Sequence, residues 1–114
     1  MSPTQRTLEE CKRLGWLAGV VERWQQQSRR RIDLFGFVDV VAIENPNYVN
    51  PPRFIAIQAT SGSNVAARVR KINEECREAA DAWRAAGGVI EVWGWARHKK
   101  AVDRKFWRVR RVRV

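Results

Sequence analysis

The chain has 114 residues, the size of one domain, and 45% of them are hydrophobic, enough for a modest core and against wholesale disorder. Lys and Arg number 22 against 12 Asp and Glu, a formal charge of +10 that points to a polyanionic partner, nucleic acid first. No apolar run approaches the ~18 residues of a membrane span, and two cysteines with one histidine do not supply a Cys/His zinc site. The first residues lack a secretory leader pattern, so the expectation is one soluble, cytoplasmic domain over residues 1–114 in a reducing compartment.

Pro3, with Ser2 or Thr4 as cap, opens a short amphipathic helix. Leu8, Cys11 and Leu14 form its stripe and Gly15 stops it. Trp16–Trp24 predicts a strand, because Gly15 and Gly19 weaken a helix and Val20-Val21 favour extension. Glu22 would then share a face with Val20 and Trp24. Gln25–Arg31 is a polar connector that ends in Arg29-Arg30-Arg31, either a solvated run or a grip for phosphates.

Phe37–Ile43 predicts a nearly all-apolar, central strand entered through a turn at Gly36. Glu44–Pro52, with three Pro and three Asn, must be a loop, and Arg53–Thr60 the next strand. Ser61-Gly62-Ser63-Asn64 offers helix caps. From Val65, apolar residues recur at Val69, Ile72, Cys76, Ala79 or Ala80, and Trp83, which predicts one long helix ended by Gly87-Gly88. Val89–Trp95 is a strand, Arg97–Lys100 a basic turn holding His98, and Lys105–Val114 a last strand. In that last strand Trp107 and Val109 pack while Arg108 and Arg110 make a cationic face. The fold class is α/β (α+β): a mixed sheet, element order α-β-β-β-α-β-β, one long helix packed on it, and a parallel crossover from Gln58 to Val89.

One acid, Asp39, sits inside the apolar Phe37–Ile43 run, where an isolated carboxylate is costly unless it binds something. Gln58 and Thr60, two residues apart on the neighbouring strand, share a face. An acid facing an amide and a hydroxyl is a candidate divalent-metal site. The same two residues also read as a polar pair at the edge of a sheet.

This order, with an acid in the second strand and a polar pair ending the third, resembles the PD-(D/E)XK nuclease superfamily. It resembles above all its small phage and archaeal Holliday-junction-resolvase-like members. The resemblance implies a restriction-endonuclease-like fold, Mg²⁺ or Mn²⁺ as cofactor, branched or structured DNA as substrate, and a homodimer, in a phage or prokaryotic host cell. Asp39 falls on the family's metal-binding aspartate and Gln58-Ala59-Thr60 on its Glu-x-Lys, with Gln for the second acid and Thr for the lysine. Asp39, Gln58 and Thr60 are then the catalytic candidates, and Asp39, Gln58 and Glu10 the metal ligands.

The family often carries another acid on its first helix, where Glu9 and Glu10 stand, although both also read as a solvated face. Thr60 cannot supply a lysine's charge, so Arg68 or Lys71 are auxiliary candidates for the cation, and Glu10, Glu22 or Asp33 for the second carboxylate. Asp33 reads equally as a turn residue. Arg29, Arg30, Arg31, Ser61, Ser63, Arg68, Arg70, Lys71, Arg97, Lys99 and Lys100 are the candidate nucleic-acid contacts. A catalytically degenerate DNA-binding relative and a basic structural or RNA-associated protein are the alternatives.

Overall fold

The computed structural model describes residues 1–99 and 105–114. In chain order they form α1 (Pro3–Arg13), β1 (Leu17–Val20), β2 (Arg23–Gln25), β3 (Arg30–Ile32), β4 (Val40–Ile43), β5 (Phe54–Ser61), a 3-10 turn (Gly62–Asn64), α2 (Val65–Glu74), α3 (Arg77–Ala85), β6 (Val89–Lys99) and β7 (Lys105–Arg113). The five longer-range strands make a mixed sheet of order β1-β4-β5-β6-β7, and β2 pairs with β3 in a separate two-stranded ribbon. β5 and β6 run parallel, as the crossover through α2 and α3 requires, and the other neighbours are antiparallel.

The alternation along the central strands gives each face of the sheet its own core. On one face Val40, Ala42, Ile55, Ile57, Trp93 and Trp95 pack with Cys11 of α1. On the other, Ala56, Ile90 and Val92 meet Val65, Ile72 and Ala80 of α2 and α3, with Phe37 and Val38 beside them. The sheet is therefore covered on both faces, which is why its middle strands read as continuous apolar runs. The polar groups that enter these layers are matched. Buried Thr7 accepts a hydrogen bond from Trp95 Nε1 at 2.9 Å. Buried Glu91 accepts from Trp93 Nε1 and Arg111 Nε, both at 2.9 Å. The Arg111 guanidinium lies between the rings of Trp16 and Trp93, 5.0 and 4.9 Å from their centroids. Glu44 takes Arg53 Nε at 2.7 Å, and the guanidinium holds its carboxyl below the usual range.

Several boundaries differ from the sequence reading. The strand expected over 16–24 breaks after Val20, so Glu22 leaves the sheet and β2 begins a new ribbon. The polar connector is that ribbon's turn and return strand: Ser28 Oγ donates to Gln25 Oε1 at 2.6 Å and Arg29 takes a positive φ of 50°. A ribbon exposed on both sides has no buried face, hence no apolar alternation to read. The strand expected from Phe37 starts only at Val40. The single long helix is two, broken at Glu75-Cys76. Cys76 there packs on the turn at Gly36, where a Cβ would lie 3.2 Å from its sulfur. Strand β6 continues through Arg97 to Lys99, where a turn was expected. Lys100 lies outside the described residues.

Gly94 of β6 sits under the start of α2. A Cβ there would run into Val65 Cγ2 and lie 3.1 Å from Gly62 Cα. Gly94→Ala should therefore lift α2 from the sheet and cost about 1–3 kcal/mol, read as a lowered urea midpoint.

Candidate metal centre and nucleic-acid face

Asp39 stands where β4 and β5 part. Its N–H still donates to Ile57 O at 2.9 Å, continuing the ladder that pairs Val40 with Ile57. One step further the side chain takes over: Ala59 N–H donates to Asp39 Oδ2 at 2.8 Å. The carboxylate thus occupies a backbone acceptor's place and holds the end of the strand pair together. Extending the register by one pair sets Asp39 opposite Gln58, as the sequence implied.

Asp33 arrives through the turn that follows it. Leu34 and Val38 bridge, and between them Phe35 and Gly36 both have positive φ, 57° and 84°. Two successive left-handed residues reverse the chain tightly, and the glycine relieves the second of any steric cost. Asp33 Oδ2 then accepts from Gln58 Nε2 at 3.3 Å. Glu22 comes from the other side, just after Val21 N–H donates to Asp39 O at 2.9 Å. Glu22, Asp33 and Asp39 each present a ligand oxygen, and the three oxygens lie within 4.8 Å of one another.

Gln58 completes the group. It is buried, its Nε2 is spent on Asp33, and its Oε1 has no hydrogen-bond partner. A buried amide oxygen without a donor is costly and calls for a partner, whether a hydrogen-bond donor, a water or a cation. Three carboxylates are a hard-oxygen set of the kind Mg²⁺ or Mn²⁺ takes, with other oxygens filling the remaining positions. Of the acids considered from sequence, Asp33 and Glu22 join Asp39. Glu10 does not: it is drawn into a two-point pair with Arg13, at 2.6 and 2.8 Å on α1. Glu9 is exposed. Thr60 is buried two residues along β5, and among the described residues no hydrogen bond joins it to the acids. Arg68 and Lys71 are half-buried on α2, and among the described residues neither is in an ion pair.

The basic segments gather at the same end of the sheet. Asp39 lies beyond the C-terminal end of β5's pairing with β4, and Ser61 and Ser63 follow there with hydroxyls 3.3 Å apart. β6 runs parallel to β5 and extends past their last pair, Ser61 with Trp95, carrying Arg97 outward. β1 pairs Val20 with Val40, so the β2–β3 ribbon with Arg29, Arg30 and Arg31 also leaves from that end. Arg70 is exposed on α2.

No family model matches the chain, and no curated protein and no solved structure matches it.

Burial pushes the Asp39 carboxyl up to about 8, helped by its hydrogen bond with the Asp33 carboxyl and by the charges of Asp33 and Glu22, while the Ala59 amide pulls the other way. Unfolded, an aspartate titrates near ~3.9. Between the two values the folded state holds the proton more tightly, so stability falls as pH rises from about 4 to about 8. Urea unfolding in chelator at pH 5, 7 and 9 should show that fall, at most about 1.4 kcal/mol per pH unit. Asp39→Asn, which keeps an acceptor for Ala59, should flatten it, and Mn²⁺ should reverse it in wild type only.

Proposed function

We propose that the chain is a metal-dependent endonuclease of the PD-(D/E)XK type, acting on branched or otherwise structured DNA. One observation carries this reading: Glu22, Asp33 and Asp39 converge beside Gln58, whose Nε2 meets Asp33 and whose Oε1 is buried without a partner, at the end of the sheet where the basic segments gather. The mixed sheet with Asp39 opposite Gln58 supports it, because this is the arrangement expected of a restriction-endonuclease-like fold. Asp39, Asp33, Glu22 and Gln58 would hold Mg²⁺ or Mn²⁺. Such an ion offsets charge on the phosphoryl oxygens and lowers the pKa of bound water. The one carboxylate that Gln58 replaces in the family's usual pair would be made up by Asp33 and Glu22, which arrive from loops.

The chain's own residues do the rest. Ala59 N–H fixes one oxygen of Asp39 and leaves the other for the ion. Gln58 orients Asp33 through its amide nitrogen. Arg29, Arg30 and Arg97 hold phosphates, while Arg31 lies 3.6 Å from Glu22, so that shape selects the substrate more than sequence does. Symmetric cutting of a four-way junction needs two centres, so that substrate brings a homodimer with it.

Thr60 favours a second reading. A hydroxyl where the family has a lysine cannot stabilise a developing negative charge as an ammonium does. A relative that binds structured DNA without cutting it would have this composition. The two separate on labelled four-way junction, flap, single-stranded and duplex DNA with Mg²⁺ or Mn²⁺. The nuclease gives product on a structured substrate, and Asp33→Asn and Asp39→Asn each slow it by about a hundredfold or more. Tight binding with no product on any substrate selects the binder.

A further inference from the structure

The chain has six tryptophans. Five have a structural use. Trp16 and Trp93 meet edge to face, with Arg111 over both rings. Trp83 stacks edge-on with Phe54 and donates to Val89 O. Trp95 is buried and donates to Thr7. Trp107 lies under the Arg6 guanidinium at 3.7 Å. Trp24 is the sixth. It is 55% exposed, and among the described residues neither an aromatic ring nor a guanidinium lies over it.

Its position is set all the same. Trp24 is the middle residue of β2, opposite Arg31 of β3. The indole N–H donates to Gln26 Oε1 at 3.1 Å, so its polar edge is satisfied within the ribbon while the ring stays open. The ribbon's turn is held by the bond from Ser28 to Gln25. Arg23, Arg29, Arg30 and Arg31 are exposed along the same short ribbon, with Arg31 in register opposite Trp24 and 3.6 Å from Glu22. Glu22 immediately precedes β2 and Asp33 immediately follows β3, so the ribbon is bracketed by two of the three clustered acids.

We propose that Trp24 is a stacking platform for an unpaired base, and that the β2–β3 ribbon selects DNA with single-stranded or branched character at the acidic centre. An indole face accepts any base, and stacking needs that base out of a continuous duplex. The arginines alongside hold the flanking phosphates. A protein partner would also use an exposed Trp, but four exposed arginines on one short ribbon match a polyanion better. The inference rests on the nuclease reading for its substrate, since it places an unpaired base next to the residues proposed to act on the backbone.

The test is binding, measured by anisotropy of labelled DNA in chelator at fixed salt, where no cleavage occurs. Trp24→Ala should weaken binding to single-stranded, flap and junction DNA by about tenfold or more, with little change on intact duplex. Trp24→Phe, which keeps a ring, should recover most of the loss. The side chain is exposed, so thermal unfolding of Trp24→Ala should match wild type. Equal losses on all DNAs, no loss on any, or a changed sedimentation coefficient with DNA binding intact would each overturn the proposal, the last assigning Trp24 to a protein contact. Lack of cleavage with the Trp24 discrimination retained would instead overturn the nuclease reading alone.

Discussion

The hydrogen bond from Ala59 N–H to the Asp39 carboxylate is the constraint on which the centre depends. At this point β4 must part from β5, because its chain turns away toward Phe37. An ordinary residue here would leave a buried amide unsatisfied at the tip of the sheet. Asp39 removes that problem and in doing so fixes a carboxylate deep in the fold, 4% exposed. Its burial is tolerable because one oxygen is bonded and because the carboxyl holds its proton up to about 8 in the absence of a cation. The same anchoring sets where Asp33, Glu22 and Gln58 must meet it.

The positive charge of the chain is divided between two uses. Arg13, Arg31, Arg53, Arg77, Arg84 and Arg111 are engaged with carboxylates. Arg111 and Glu91 are the most structural of these, a partly desolvated pair set among two indoles, which ties the edge strand β7 to its neighbour β6. Arg29 and Arg30 on the ribbon, and Arg108 and Arg110 on β7, are exposed, and among the described residues none of them meets an acid. The net charge of +10 is therefore not spread evenly. It collects on two hairpins that rise from opposite edges of the sheet at the end where the acids lie.

The central strands, the first helix and the parallel crossover were legible because burial imposes a pattern: Ile55 and Ile57 face one layer, Ala56 and Gln58 the other. Asp39 stood out for the same reason, as a charge inside an apolar run, and Asp33 was visible six residues away across a glycine turn. Glu10 misled because an acid on the first helix satisfies a family pattern, while its geometry serves Arg13 three residues along. Glu22 could be named but not placed, because the break after Val20 has no Gly or Pro to announce it. The ribbon was hidden altogether. Its residues are polar, so Trp24 read as one more strand residue, and the connector around Ser28 read as loose chain. The helix break at Cys76 left no trace either, since the apolar repeat runs on through it.

The ribbon's two roots are themselves members of the acidic group. Glu22 is fixed to one strand and Asp33 to the other, with no spacer between arm and carboxylate. Any swing of the arm is thus transmitted covalently to two of the three oxygens, and any tightening of those oxygens pulls the arm into a set angle. With an ion at the base and a ligand at the tip, the two would be ends of one lever, and by linkage whatever factor one changed in the other's affinity would be returned in equal measure.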